Sequence, residues 1–180
     1  MAILSLACFE DSKFVGVITF GMGVNPNYGK KYGLRQGEIY ELTRVALNRK
    51  AHKQPTTQYV AIALRLLKKT KPLAKVVVSY ADKGEQNHEG IIYKAGNWYY
   101  EGEITASQPI IDGKVAHSRK VNMNKEKYRD NIQRYTNGLK KKFIYVYNKN
   151  MRVELESKAL GFQPRESGAV PTNTHQKKLS

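Results

Sequence analysis

Apolar positions fall into short runs along the chain, and their spacing changes from one run to the next. Ile3, Leu4, Leu6, Ala7 and Phe9 crowd the first ten residues as in a core strand, with Cys8 among them as packing. Phe14 to Phe20 (FVGVITF) is β-branched and aromatic and is closed by Gly21 and Gly23, which predicts a strand turning into a loop. Ile39 to Leu47 (IYELTRVAL) predicts a second strand. From Thr56 the pattern becomes helical. Tyr59, Ile62, Ala63, Leu66 and Leu67 share one face, Arg65, Lys68 and Lys69 fall largely on the other, and Pro72 ends the segment. Thr56 or Thr57 is placed to cap this helix. No capping box accompanies them, because Tyr59 stands where Glu or Gln is required. Ala74 to Tyr80 (AKVVVSY) is almost continuously apolar, as expected of a parallel strand covered on both faces. Strand, basic loop, helix and strand make a βαβ unit.

The second half is less regular. His88 to Ala95 predicts a short helix closed by Gly96 or Asn97. Trp98 to Thr105 alternates like a strand, Tyr128, Ile132, Tyr135 and Leu139 predict a further helix, and Phe143 to Tyr147 a late strand. The chain has 180 residues, enough for one well-filled core. The expected fold class is α/β: a single domain over 1–167, with 168–180 as a flexible basic tail where Gly, Pro, Ser and Thr appear without periodicity. No run approaches the roughly 20 apolar residues of a membrane span, and Met1 to Phe9 carries no basic leader, so a cytoplasmic protein without a membrane partner is expected.

Charge changes the picture most. Lys and Arg number 31 against 15 Asp and Glu, a formal net charge of +16. Residues 111–180 hold 16 basic and 6 acidic side chains, so much of the excess lies toward the C-terminus. Such a chain attracts polyanions, and double-stranded DNA is the partner this balance implies. Lys140, Lys141 and Lys142 precede the aromatic residues Phe143, Tyr145 and Tyr147, a mixture suited to phosphate contact and base stacking. The long loop from Gly21 to Gly37 mixes Lys30, Lys31 and Arg35 with Tyr32, and it too is placed near the substrate.

Ligands of parallel α/β sheets collect outside the C-terminal ends of the strands. The Ile39 strand delivers Arg49, Lys50, His52, Lys53 and Gln54 to a helix start at Thr56 and Thr57, where free N–H groups and the helix dipole favour a pyrophosphate. The segment lacks the glycines of a nucleotide-binding fingerprint. The Ala74 strand delivers Ser79, Tyr80 and Asp82, with His88 beyond. Spacing alone does not make these a Ser–His–Asp triad. Acid–base work fits them better: Asp82 or His88 as acceptor of an amine proton, Tyr80 or Ser79 as holder of a carbonyl or donor of a proton. Bland roles compete, a turn or cap for Asp82 and a helix-start side chain for His88. Two acidic strings, Glu154–Glu156–Lys158 and Asp112–Lys114, read as solvated faces, and no ligand spacing for a structural metal is present.

One run carries more than its parts. It comprises S-Y-A-D at Ser79 to Asp82, His88 and Gly90, I-Y-K-A at Ile92 to Ala95, Asn97–Trp98 and Y-E-G at Tyr100 to Gly102, preceded by E-L-T-R at Glu41 to Arg44. These ordered blocks resemble the phage Mom family across about residues 38–105. The basic loop before the first helix and the last seventy residues depart from that pattern. The resemblance implies a GNAT-like, acetyltransferase-type fold with an acyl-CoA such as acetyl-CoA between splayed central strands, and it strengthens the strand-end reading, in which Ser79, Tyr80, Asp82 and His88 form a catalytic group that Tyr93 of the next helix reaches back over. It also implies conversion of adenine in DNA to N6-carbamoylmethyladenine, which protects phage DNA from host restriction. Two alternatives remain: an acyl-CoA-dependent N-acetyltransferase acting on another amine, disfavoured by the charge, and a non-enzymatic basic DNA-binding protein, disfavoured by the S-Y-A-D block.

Overall fold

A computed structural model describes residues 2–23, 27, 29–82, 89–111, 113–115, 126–128, 132–148, 150–152 and 154. Among these, the strands are β1 (Ala2–Glu10), β2 (Lys13–Gly21), β3 (Ile39–Leu47), β4 (Val76–Asp82), β5 (Trp98–Ile111), β6 (Lys114–Val115) and β7 (Ile132–Val146). The helices are α1 (Thr56–Thr70) and the four-residue α2 (Ile91–Lys94), with a 3-10 turn at Lys30–Tyr32. All the strands join one sheet in the order β1-β2-β3-β4-β7-β5-β6. The β3–β4 pair is parallel and its neighbours are antiparallel, so the expected α/β class takes the form of a mixed central sheet flanked by helices.

The sheet is covered on both faces. On one, α1 seats Val60, Ala63, Leu64 and Leu67, at helical spacing, against Ile18, Phe20, Tyr40, Leu42 and Val77. On the other, Tyr32 and Leu34 pack with Ile39, Val76, Val78, Ile144 and Val146. Consecutive Val76, Val77 and Val78 are fully buried because β4 lies between two strands and between two layers. Cys8, half-buried in edge strand β1, packs against the helix-side core.

Five sequence expectations are corrected. The buried face of α1 is Val60, Ala63, Leu64 and Leu67, so of the expected face only Ala63 and Leu67 are buried while Ile62 and Leu66 are exposed, because the sheet packs against a stripe rotated from the one the sequence offers. Residues 132–139 are strand rather than helix, because β7 pairs on both sides, with β4 and with β5, and that pairing overrides a helical spacing of apolar residues. The N-cap of α1 is Pro55, and no side chain caps the helix, so neither Thr56 nor Thr57 does so. The second helix begins at Ile91 after a left-handed Gly90 (φ 71°), and its C-cap is Ala95 rather than Gly96 or Asn97. The strand begun at Trp98 continues to Ile111. His88 and the segment 168–180 lie outside the described residues.

Candidate active site

The site begins where β3 and β4 part. They pair only from Ile39 to Glu41 against Val76 to Val78. Beyond that β3 follows β2 to Leu47, while β4 follows β7 to Asp82. A bulge marks the divergence: Phe20 and Thr19 of β2 face Leu42 and Arg44, leaving Thr43 as an extra residue that bends β3. From Leu42 onward the β4-facing edge of β3 has no strand partner among the described residues, and its backbone groups suit a ligand carrying amides.

A cavity of about 550 Å³ occupies the split. Leu42 to Leu47, Arg49 and Thr56 form one wall, and Ser79, Tyr80, Ala81, Ile92 and Tyr93 the other. Two sequence candidates meet here directly. Ser79 Oγ, buried, donates to the Leu42 carbonyl at 3.0 Å, and the Tyr93 hydroxyl lies 2.7 Å from the same Oγ. Since the one serine hydrogen goes to Leu42, Tyr93 is the donor to Ser79. Ser79 thus ties the two strands together at the first position where they separate. Burial raises the Tyr93 pKa, and the Ser79 hydrogen bond opposes the rise, so the phenol is a neutral proton donor at pH 7. Its ring stacks on Phe143 (centroids 4.9 Å apart) and meets Trp98 edge-on (5.0 Å). Gly90 permits this closure, since a Cβ there would lie 2.5 Å from the Phe143 ring.

The predicted pyrophosphate cradle is only partly assembled. Arg49 and Thr56 line the cavity. Lys53 and Gln54 do not, and Thr57 lines a neighbouring cleft of about 470 Å³ beside Trp98. The Lys53 backbone N–H donates to Glu10 at 2.8 Å, its ammonium lies 3.6 Å from exposed Asp11, and Tyr59 also donates to Glu10, so Lys53 is fastened to the β1–β2 hairpin. The first turn of α1 has neither a side-chain cap nor an acidic residue, which leaves its N–H groups and positive dipole end for an anion. Backbone placement puts Asp82 at the end of β4, in register with Lys140.

The opposite face of the split holds side chains that sequence reasoning missed. Glu101 is the extra residue of a β5 bulge between Tyr100 and Gly102, and its carboxylate is almost fully covered. Lys31 pairs with it, Tyr32 donates to it at 2.5 Å, and Lys142 lies 2.9 Å away while donating to the Tyr32 oxygen at 2.7 Å. Burial works against the Glu101 charge, but the three donors outweigh it and its pKa is lowered. Lys141 pairs with Glu89. The side chains of Lys141 and Lys142 are only 14% and 12% exposed, so both expected phosphate contacts are engaged within the protein, whereas Lys30 and Arg35 are exposed. Glu41, the last β3 residue paired to β4, is half-buried. Burial raises its pKa, Lys140 opposes the rise, and no hydrogen bond to its carboxylate occurs among the described residues. Glu41 stood inside the E-L-T-R block, but nothing in its spacing distinguished it from a solvated strand residue.

Among the described residues there is no group of three or more His, Cys, Asp or Glu placed to hold a metal, and no helix is long and apolar enough to cross a membrane. The model of the Mom protein family matches residues 1–165. A curated relative, the methylcarbamoylase mom of Escherichia phage Mu, is 25% identical over 174 residues, covering 89% of this chain and 70% of the relative. A crystal structure provisionally named a phosphinothricin N-acetyltransferase aligns with a TM-score of 0.45 and 9% identity, covering 78% of this chain and 68% of that one. With the family match running through both arms of the split and every strand of the sheet, the chain belongs to the Mom protein family.

Proposed function

We propose that this protein is a phage DNA-modifying transferase that converts adenine to N6-carbamoylmethyladenine and so protects phage DNA from host restriction, acting in the host cytoplasm as a single domain over 1–167. The observation that carries the reading is the cavity in the β3–β4 split, in a chain of the Mom family with a formal charge of +16. A cavity between parted parallel strands is also the feature by which we read the fold as acetyltransferase-like.

An acyl-CoA fits this cavity: a polar chain with two amides matches the free edge of β3, and its phosphates match Arg49 and the uncapped start of α1. Bound there, an acyl-CoA would supply a carbonyl carbon activated by a thiol leaving group, and the amide nitrogen of a carbamoylmethyl product would have to come from a second, nitrogen-bearing donor. The β3 backbone orients the ligand, Arg49 and the α1 N–H groups hold its anionic end, and the buried Ser79–Tyr93 pair sets the wall on which the reacting carbon rests. Tyr93 is the hydroxyl placed to donate a proton there, whereas Tyr80, on the same face as Val76 and Val78, packs with the opposite core. Asp82 and His88 are the proton acceptors that sequence spacing offers. Bringing an adenine amine to this depth requires extruding the base from the duplex, a cost of a few kcal/mol that cationic and aromatic contacts offset.

Nucleoside mass spectrometry of DNA from cells expressing the chain tests the reading. A deoxyadenosine heavier by a carbamoylmethyl group is expected. Unmodified deoxyadenosine throughout overturns the proposal.

A further inference from the structure

We infer that the tip of the β1–β2 hairpin is a wedge for duplex DNA: Phe9 and Phe14 enter the base stack beside the adenine to be modified, and Lys13 and Lys50 rest on the flanking phosphates. The inference rests on the proposed reading that an adenine is extruded from the duplex. Phe9 and Phe14 are 60% and 61% exposed, while the other described phenylalanines, Phe20 and Phe143, are buried. The two rings stand opposite each other in the strand register and meet edge-on, with centroids 5.7 Å apart. Glu10 turns toward α1, where it accepts from the Tyr59 hydroxyl and the Lys53 N–H, so its neighbour Phe9 lies on the other sheet face. A register shift brings Phe14 opposite Phe9. The apolar layer on that face is built from Tyr32, Leu34 and residues of β3, β4 and β7, and among the described residues it takes in none of β1 or β2.

The hairpin stands beside the cavity. Asn48 donates to the Val15 carbonyl at 2.8 Å, and Gly16 pairs with Leu47, a residue of the cavity wall. The rings therefore lie two residues, about 7 Å of strand, beyond that wall. The join is tight: a Cβ on Gly16 (φ 149°) would lie 2.1 Å from the Ala46 carbonyl oxygen, so the stem carries the tip as part of the wall. Asp11 and Ser12 turn the chain in two residues, both at positive φ (49° and 63°), which keeps the ribbon narrow. A two-stranded ribbon of this kind fits the major groove of B-DNA. The charges nearby select the partner. Exposed Lys13 flanks the rings on the turn, exposed Arg49 and Lys50 follow directly on Asn48, and Lys53 lies 3.6 Å from Asp11. An apolar partner has no use for these cations, and phosphates have no use for the rings; a base step between two phosphates uses both. Extruding an adenine leaves a gap in the stack, and an inserted ring replaces the contact its neighbours lose.

The test compares wild-type protein with the double variant Phe9→Ala/Phe14→Ala and with Phe14→Trp on duplexes whose adenines are replaced in turn by 2-aminopurine, a base whose fluorescence rises when it leaves the stack. DNA binding is titrated, thermal unfolding is recorded, and modification of ordinary duplex is scored by nucleoside mass spectrometry. The double variant is expected to bind DNA within about threefold of wild type and to unfold as cooperatively, but to lose most of the fluorescence rise and to modify paired DNA about tenfold more slowly or worse. A mismatch opposite the adenine, which unstacks it beforehand, is expected to restore most of that rate. Phe14→Trp keeps a ring for stacking and is expected to match wild type. A double variant with the full fluorescence rise and rate overturns the wedge. So does one that no longer unfolds cooperatively, since the rings are then structural, or one that turns a wild-type dimer into a monomer on a sizing column, since they then join two copies. Wild-type protein that raises the fluorescence but leaves deoxyadenosine unmodified overturns the transfer reading alone. Wild-type protein that modifies DNA with no fluorescence rise overturns the wedge alone, and protein that does neither overturns both.

Discussion

Tyr93 reaches from α2 to place its hydroxyl 2.7 Å from Ser79, and Ser79 hands its own hydrogen to the Leu42 carbonyl on the far strand. Two side chains therefore replace the ladder bond lost where β3 and β4 separate. The relay is buried, so none of its members has water as a substitute partner.

Ser79→Ala leaves the Leu42 carbonyl and the Tyr93 hydroxyl unsatisfied together, whereas Tyr93→Phe removes one donor and leaves Ser79 bonded to Leu42. Urea unfolding should show Ser79→Ala destabilised by about 1–3 kcal/mol and Tyr93→Phe by about 0.5–1.5 kcal/mol. The reverse order would mean that Tyr93, not Ser79, holds the strands.

Glu101→Gln strips the charge from a covered carboxylate while Lys142 stays in place. A loss of about 3–5 kcal/mol is expected at pH 7, the range for breaking a buried pair by removing one partner. Because the folded pKa of Glu101 is lowered, its stabilisation is fully present above the ordinary glutamate range and disappears as pH falls through the folded value. The gap between wild type and Glu101→Gln should therefore shrink below about pH 4. A gap independent of pH from 7 to 2 would show that the carboxylate charge does not contribute.

Arg49 lines the cavity at the start of α1, whereas Lys53 is fastened to the β1–β2 hairpin. Calorimetry should find acetyl-CoA binding weakened about tenfold by Arg49→Gln and little changed by Lys53→Gln, a charged hydrogen bond contributing about 1.5–3 kcal/mol. Equal effects from both would restore the cradle as the sequence alone draws it.

Duplex DNA affinity should fall steeply with salt and vary little with sequence, given the net charge of +16. Lys30→Gln or Arg35→Gln, at exposed positions, should each flatten the slope of log affinity against log salt by roughly one. An unchanged slope in both variants would move the DNA surface away from this turn.

Much of the scaffold was legible because it depends on local pattern. FVGVITF, IYELTRVAL and AKVVVSY lie within observed strands or extend only slightly past them, and the 3.6-residue spacing after Pro55 gives α1, since one-sided burial imposes its period on the sequence. Ser79, Tyr93, Arg49 and Thr56 could likewise be placed at the ends of those elements and do meet in one cavity. What the chain did not reveal locally depends on partners distant in sequence. Residues 132–139 carry helical spacing, yet they are strand because β4 and β5 take up their backbone groups on both sides. Lys141 and Lys142 read as free cations until Glu89 and Glu101, some 40 to 50 residues earlier, engage them. Glu41 and Glu101 are the same residue type in similar strand surroundings. Tertiary structure alone separated them, because a carboxylate's charge depends on which donors the fold brings within hydrogen-bond reach, and three reach Glu101 while none among the described residues reaches Glu41.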